Sequence, residues 1–187
     1  GIVPNKEWKR KNFNANWTKS DTIVAAIGQG YSLSSPLQLA VMTARIATEG
    51  RMIEPTIIKG KQSEIVFSNN NFVEKNVYKL IKKGMYNTVN NANGTAYGSR
   101  LLTNYNNMAG KTATSQVRRI SMLEREKGIK KNEELPREQR DHGLFVGFYP
   151  FIEPRFAFSV VVEHGGSGSK SAAPIARDLC KELKNIV

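Results

Sequence analysis

The chain has one cysteine, Cys180, and two histidines, His142 and His164. A single thiol excludes an internal disulfide. Three such side chains, far apart in sequence, offer no spacing suited to a zinc site, and no cofactor is expected. No run of about 18 apolar residues occurs, so nothing in the sequence crosses a bilayer as a helix. Gly1-Ile2-Val3-Pro4-Asn5-Lys6 is not a signal peptide, and any targeting segment of an exported parent is expected upstream. Acidic side chains are scarce, 16 against 28 basic ones, leaving a net charge of +12. Such an excess favours anionic surfaces such as nucleic acid, acidic lipid or an anionic polymer. The basic residues are scattered and no nucleic-acid motif appears, so nucleic acid is set aside.

At 187 residues the chain is one ordinary domain or part of a larger one. Its first 22 residues are basic and read as irregular, with Trp8 and Trp17 expected to pin them to the body. Gly28-Gln29-Gly30 marks a tight turn. Gln29 is read as a turn-stabilising amide, with a substrate contact as the alternative. Ser35-Pro36-Leu37-Gln38 opens a helix, with Ser35 as cap, Pro36 at the first helical position and Gln38 three residues after the cap. Leu37, Ala40, Val41, Ala44, Ala47 and Thr48 form one face, widened by Leu39, Met42 and Ile46. This predicts a buried core helix ending at Gly50.

Short strands and turns are expected over 51–72. Val73, Val77, Leu80, Ile81, Met85 and Val89 then recur at helical spacing. Residues 90–96 form a turn cluster. Residues 118–142 are a charge-dense surface excursion with too few apolar residues for a core. Glu133–Arg140 suggests a short helix within it, and the whole is either a solvated loop or an active-site flap. Residues 143–149 predict a buried strand. Residues 155–163 predict a second one, with Phe156, Phe158, Val160 and Val162 on one face and Ala157, Ser159 and Val161 on the other. Both faces lack charge, so helices should cover both. Gly165–Ser169 reads as a flexible turn. Ile175, Leu179, Leu183 and Ile186 then give a C-terminal amphipathic helix, with Ala176, Cys180 and Val187 beside them. The fold class is α/β of the α+β type, an antiparallel sheet with helices on its faces.

Chemistry concentrates in Met108-Ala109-Gly110-Lys111-Thr112-Ala113-Thr114-Ser115-Gln116-Val117. It reads as an extended strand with Lys111, Ala113 and Ser115 on one side and Thr112, Thr114 and Gln116 on the other. Small Gly110 and Ala113 leave room for something to lie along the backbone. A lysine, two threonine hydroxyls and free edge N–H groups suit an extended peptide ending in a carboxylate. A solvated strand without a role is the plain alternative. Elsewhere, Gly166-Ser167-Gly168 and Lys170-Ser171 approach a phosphate-binding loop but fail, because Ser169 separates Gly168 from Lys170.

Lys111-Thr112-Ala113-Thr114 resembles the Lys-Thr-Gly motif of penicillin-binding proteins and serine β-lactamases. Residues 110–117 resemble the Gly-Lys-Thr-Gly-Thr-Ala-Gln-Val form of high-molecular-weight transpeptidases, with Ala113 replacing the usual glycine. Gly1–Arg10 resembles the Gly-(Leu/Ile)-Ile-Pro-Asp-Lys-x-Trp-Lys stretch of the elongation-type class B group, penicillin-binding protein 2. Ile27–Tyr31 and the helix after it, Lys83–Tyr86 and Asn93–Ala96 resemble the same family. The resemblance runs in ordered blocks: 1–10, 27–50, 83–97, 108–120, 140–148 and 160–178.

That resemblance implies the penicillin-binding/serine β-lactamase-like fold, here the C-terminal portion of one transpeptidase domain over 1–187, without its N-terminal strands and nucleophile helix. It implies a parent that cross-links peptidoglycan at the periplasmic side of the bacterial inner membrane, with elongation-type cell-wall synthesis proteins as partners. Stem peptides and β-lactams are the implied ligands. Lys111 is implied as the catalytic cation, and Thr112, Ala113 and Thr114 as substrate-binding residues. Ala113 adds a methyl where substrate should pass closest. The family's Ser-x-x-Lys and Ser-x-Asn motifs have formal matches in Ser167–Lys170 and Ser68–Asn70, rejected because the putative nucleophile follows the Lys-Thr-Gly position. The nucleophile is therefore expected outside the chain, and this piece alone is expected to be inactive. Strand 155–163 is expected to be an uncovered apolar edge open to self-association. The competing reading is a non-catalytic basic module that binds an anionic polymer.

Overall fold

A computed structural model of the chain describes residues 1–58, 65–66 (backbone), 73–102, 107–118 and 120–184. Three helices come first: α1 (Lys6–Phe13), α2 (Lys19–Ala26) and α3 (Pro36–Ala47). A two-stranded ribbon of β1 (Met52–Ile53) and β2 (Ile65–Val66) precedes α4 (Lys75–Asn90). Then come β3 (Ala109–Ser115), α5 (Met122–Lys127), β4 (His142–Tyr149), β5 (Phe156–Val162) and α6 (Gly168–Leu183). The main sheet is antiparallel in the order β3-β4-β5. Helix α6 lies on one face and α3 on the other, as two uncharged strand faces require.

The first 22 residues are not irregular. Asn5 caps α1 by accepting the Trp8 N–H, and Thr18 and Asp21 form a reciprocal capping box at α2. Lys9 Nζ and Asp21 Oδ2, 2.5 Å apart, tie the two helices together. Trp8 packs against Phe13 and Tyr31, with ring centroids 5.5 and 5.4 Å away, so it does pin the segment. Trp17 is held locally, donating its indole N–H to Thr22 Oγ1.

Helix α3 starts as its sequence dictates, with Ser35 and Gln38 capping each other's backbone. It is not, however, buried all round. Thr43 and Ala47 are its buried residues, while Leu37 and Met42 remain 57% and 44% exposed. Thr43 tolerates this burial because its hydroxyl donates to the Leu39 carbonyl at 2.8 Å. Among the described residues the flank facing β4 and β5 is its main contact, with smaller ones to α4 and β1.

Helix α4 forms where helical spacing predicts one and buries Met85 and Val89, but Val73 precedes it and Val77, Leu80 and Ile81 are exposed. Helix α6 begins inside the segment read as a flexible turn. Its buried face is Ala172, Ala173, Ala176 and Cys180, whereas Ile175 and Leu179 are exposed. Small residues let the helix lie close to the sheet. A Cβ on Gly168 would come within 2.2 Å of the Leu144 carbonyl oxygen and 2.3 Å of that of Ala113. Ile186 and Val187 lie outside the described residues.

Against α6 packs the larger core, with Val89, Ala96, Met108, Phe145, Tyr149 and Phe158. Met85, Ala109, Phe148 and Ala47 form a smaller one on the opposite side. Cys180 is buried as expected, its Sγ 3.8 Å from Met108 Sδ, and burial pushes its thiol up to about 12. Strand β5 pairs only with β4 among the described strands, so it does form a sheet edge.

Candidate functional site

Strand β3 is the other edge of the sheet, paired to β4 from Ala109↔Phe148 to Ser115↔His142. In an antiparallel ladder both peptide groups of alternate residues face away from the partner strand. On β3 Thr112 and Thr114 are among the outward residues, because both of their carbonyls meet side chains that lie off the ladder. Lys111 Nζ donates to the Thr112 carbonyl at 2.8 Å. Gln29 Nε2 donates to the Thr114 carbonyl at 3.3 Å. Gln29 therefore does not serve its own turn through its side chain, but reaches across to β3.

The gap between that turn and the strand edge is a groove of about 690 Å³. Lys111 to Ser115 line one wall, and Gly28, Gln29 and Ser32 to Ser34 line the other. Leu39, Met42, Leu144 and Val146 supply apolar floor. The strand alternation holds: Lys111, Ala113 and Ser115 belong to the α3 face with Leu144 and Val146. Thr112 is on the α6 face, where its hydroxyl lies 2.8 Å from that of Thr95. Lys111 also borders a second hollow of about 400 Å³, floored by Asn87, Thr88, Asn91, Asn93 and Thr95.

Gly110 serves a purpose other than the expected one. A Cβ there would meet the Phe145 ring at 2.2 Å, so its smallness admits a core side chain rather than a ligand. Ala113 faces the groove.

Most of the described residues of 118–142 are exposed, Leu135 is buried, and the segment holds α5 and two 3-10 turns, Asn132–Glu134 and Arg137–Gln139. Arg118 binds both carboxylate oxygens of Glu124, at 2.7 and 2.8 Å, and holds the pKa of that carboxyl below the ordinary range. Asp141 accepts from the Val117 N–H and from Asn132 Nδ2, closing the neck of the excursion beside the end of β3. A further hollow lies between Gln116 and α5, lined by Ile120, Ser121, Met122 and Arg125.

Ser167 and Lys170 are not a nucleophile–base pair. The Ser167 hydroxyl contacts that of Ser169 at 2.7 Å, while Lys170 Nζ donates to Glu133 Oε1 at 3.0 Å. Ser68–Asn70 lies outside the described residues. Among the described residues no group of three or more histidine, cysteine, aspartate or glutamate side chains could hold a metal ion.

The model of the penicillin-binding protein transpeptidase domain matches residues 3–181. The chain belongs to that family. Relatives include the peptidoglycan D,D-transpeptidases MrdA of Haemophilus influenzae, 35% identical over 94% of this chain, and of Acinetobacter baumannii, 34% identical over 94%. The chain spans 27% and 26% of those two proteins. Among solved structures, the complex of PBP2 with MreC from Helicobacter pylori matches the whole chain with a TM-score of 0.79 at 31% identity, over 31% of the solved chain. Pseudomonas aeruginosa PBP2 in complex with WCK 5153 matches 96% of the chain, and the chain covers 36% of it, with a TM-score of 0.68 at 29% identity. The three-stranded sheet with α3 and α6 on its faces is thus part of the transpeptidase fold of this family.

Proposed function

We propose that the chain is the C-terminal portion of a single serine-type D,D-transpeptidase domain whose parent cross-links peptidoglycan stem peptides. The observation that carries this reading is the open β3 edge, with Thr112 and Thr114 peptide groups facing the groove and Lys111 beside them. An extended peptide pairs with such an edge through main-chain hydrogen bonds. In this reading the outward N–H of Thr114 is one oxyanion donor, the Thr112 and Thr114 hydroxyls bind a D-alanyl carboxylate, and Lys111 neutralises it. The methyl of Ala113 narrows the passage.

The attacking serine belongs to a segment outside this sequence. It opens the penultimate D-alanine carbonyl, D-alanine leaves, and an amine of a neighbouring stem peptide resolves the acyl-enzyme. β-Lactams are ligands because they imitate the D-alanyl-D-alanine end. The excursion over 118–142 acts as a flap beside the far end of β3. The parent works at the periplasmic side of the inner membrane with elongation-type cell-wall proteins; the Helicobacter pylori PBP2–MreC complex supports such a partner.

Labelling of the full-length protein with a fluorescent penicillin tests the site. Lys111→Ala is expected to slow acylation on the order of 100-fold or more, the scale of removing one preorganised charge-stabilising group. Labelling at the wild-type rate would sink the assignment. The 187-residue chain by itself is expected to take no covalent label.

A further inference from the structure

Two outward carbonyls of the β3 edge, those of Thr112 and Thr114, are already occupied. Lys111 covers Thr112, and Gln29 covers Thr114 from a turn 85 residues earlier in the chain. The placement of Gln29 is built into its turn. Gly28 and Gly30 both adopt the left-handed conformation, at φ +73° and +78°. Side chains with a Cβ adopt that region reluctantly, so the two glycines flanking Gln29 fix a backbone path that few other sequences can follow. The Gln29 N–H is tied to the Val24 carbonyl at 3.1 Å, which anchors the residue to the end of α2. From there its carboxamide spans the groove that would receive a peptide.

A carbonyl on an open edge has two attractions for a neighbour. It accepts an N–H, and it offers a template for a whole strand. The Gln29 amide takes the first and blocks the second. The bond is long and between neutral groups, so it is cheap to break. The Thr114 oxygen has a second lone pair, but the Gln29 carboxamide stands in the groove where an extended ligand would run, so a ligand that lays its amide N–H on that carbonyl displaces Gln29 Nε2.

We infer that Gln29 is a displaceable latch on the substrate edge, competing with the ligand's amide N–H for the Thr114 carbonyl and so setting how readily extended peptides enter. Its freed carboxamide then lines the groove wall opposite the ligand. It is a specificity-determining residue and takes no part in bond making. The inference rests on the reading of β3 as the peptide-binding edge.

The test compares two β-lactams on the full-length protein. A penicillin carries an acylamino N–H in the position of the stem-peptide amide, and a carbapenem has no such group. Acylation rates are measured for wild type, Gln29→Ala and Gln29→Met. The methionine keeps the volume and removes the donor. Removing a competing neutral hydrogen bond is expected to speed penicillin acylation about three- to tenfold in both variants. The carbapenem rate should stay within about twofold of wild type, since it does not contest that carbonyl. An unchanged or slower penicillin rate overturns the latch. An equal gain for both antibiotics also overturns it, as a general widening of the groove. A loss of the carbapenem rate in both variants would make Gln29 a prop of the turn and overturn it too. Wild-type labelling of Lys111→Ala, by contrast, defeats the assignment of the edge itself and leaves a different signature.

Discussion

Beneath α6 the sheet buries Phe145, Phe158 and Tyr149 against Ala172, Ala173, Ala176 and Cys180. Beneath α3 the same strands offer Leu144, Val146 and Ala157, yet Leu37 and Met42 stay largely exposed and a groove remains. Both buried side-chain atoms without a hydrogen-bond partner among the described residues, Arg45 Nε and Ser159 Oγ, belong to α3 and to the β5 face beneath it. One face is a closed core and the other is an open working surface. Strand β3 belongs to both because its residues alternate, so the closed face holds the strand still while the open face presents Lys111 and Ala113.

The contrast can be broken most strongly from the closed side. Phe145→Ala is expected to cost about 3–5 kcal/mol in denaturant unfolding, since the ring is fully buried in the larger core. A loss below about 1 kcal/mol would show that the α6 face is not close-packed. Gly168→Ala should cost about 3 kcal/mol, because its methyl would meet two backbone oxygens that cannot turn aside. Next comes acid. Lys9, together with Thr18, lowers the pKa of Asp21 from 3.8 to about 2. A depressed carboxylate stabilises the fold above its ordinary range and loses that contribution as pH falls toward its folded value. Emission from Trp8 and Trp17, the chain's two tryptophans, should therefore shift between about pH 4 and pH 2. That shift should vanish in Asp21→Asn while the α6 core stays intact. The smallest effect is expected at Leu37→Gln, within about 0.5 kcal/mol, because the side chain lies on the uncovered flank of α3.

Local signals were legible where a rule ties sequence to backbone. The Ser35–Gln38 capping box and the alternation of 155–163 appear as predicted, and the spacing of 77–89 does form a helix, though only its Met85 and Val89 end is buried. Helix α2 had an equally good signal in Thr18-x-x-Asp21, obscured by the basic composition around it. What failed was inference from residue size. Gly110 admits Phe145, and Gly168 admits two carbonyls, where a ligand and a flexible turn were expected. Partners of this kind are set by packing between distant segments, which periodicity does not encode. The stripe on α3 was likewise misplaced, because Thr43 hides its hydroxyl on the preceding turn and so competes with leucine for the interior. Of the site, the candidate strand and its two-sided alternation could be read directly. The reach of Gln29 to Thr114 could not, since nothing local marks it.

The neck joining Ser115 to His142 has a further consequence. These two residues sit opposite each other in the ladder, and Asp141 ties the chain shut just outside it. Everything from 116 to 141 is thus hung from a closed hairpin end. Closing a longer or shorter loop at the same point changes the entropy only slowly with length. Evolution can therefore resize or replace this appendage, and with it whatever touches the mouth of the groove, without retuning the strand that carries Lys111.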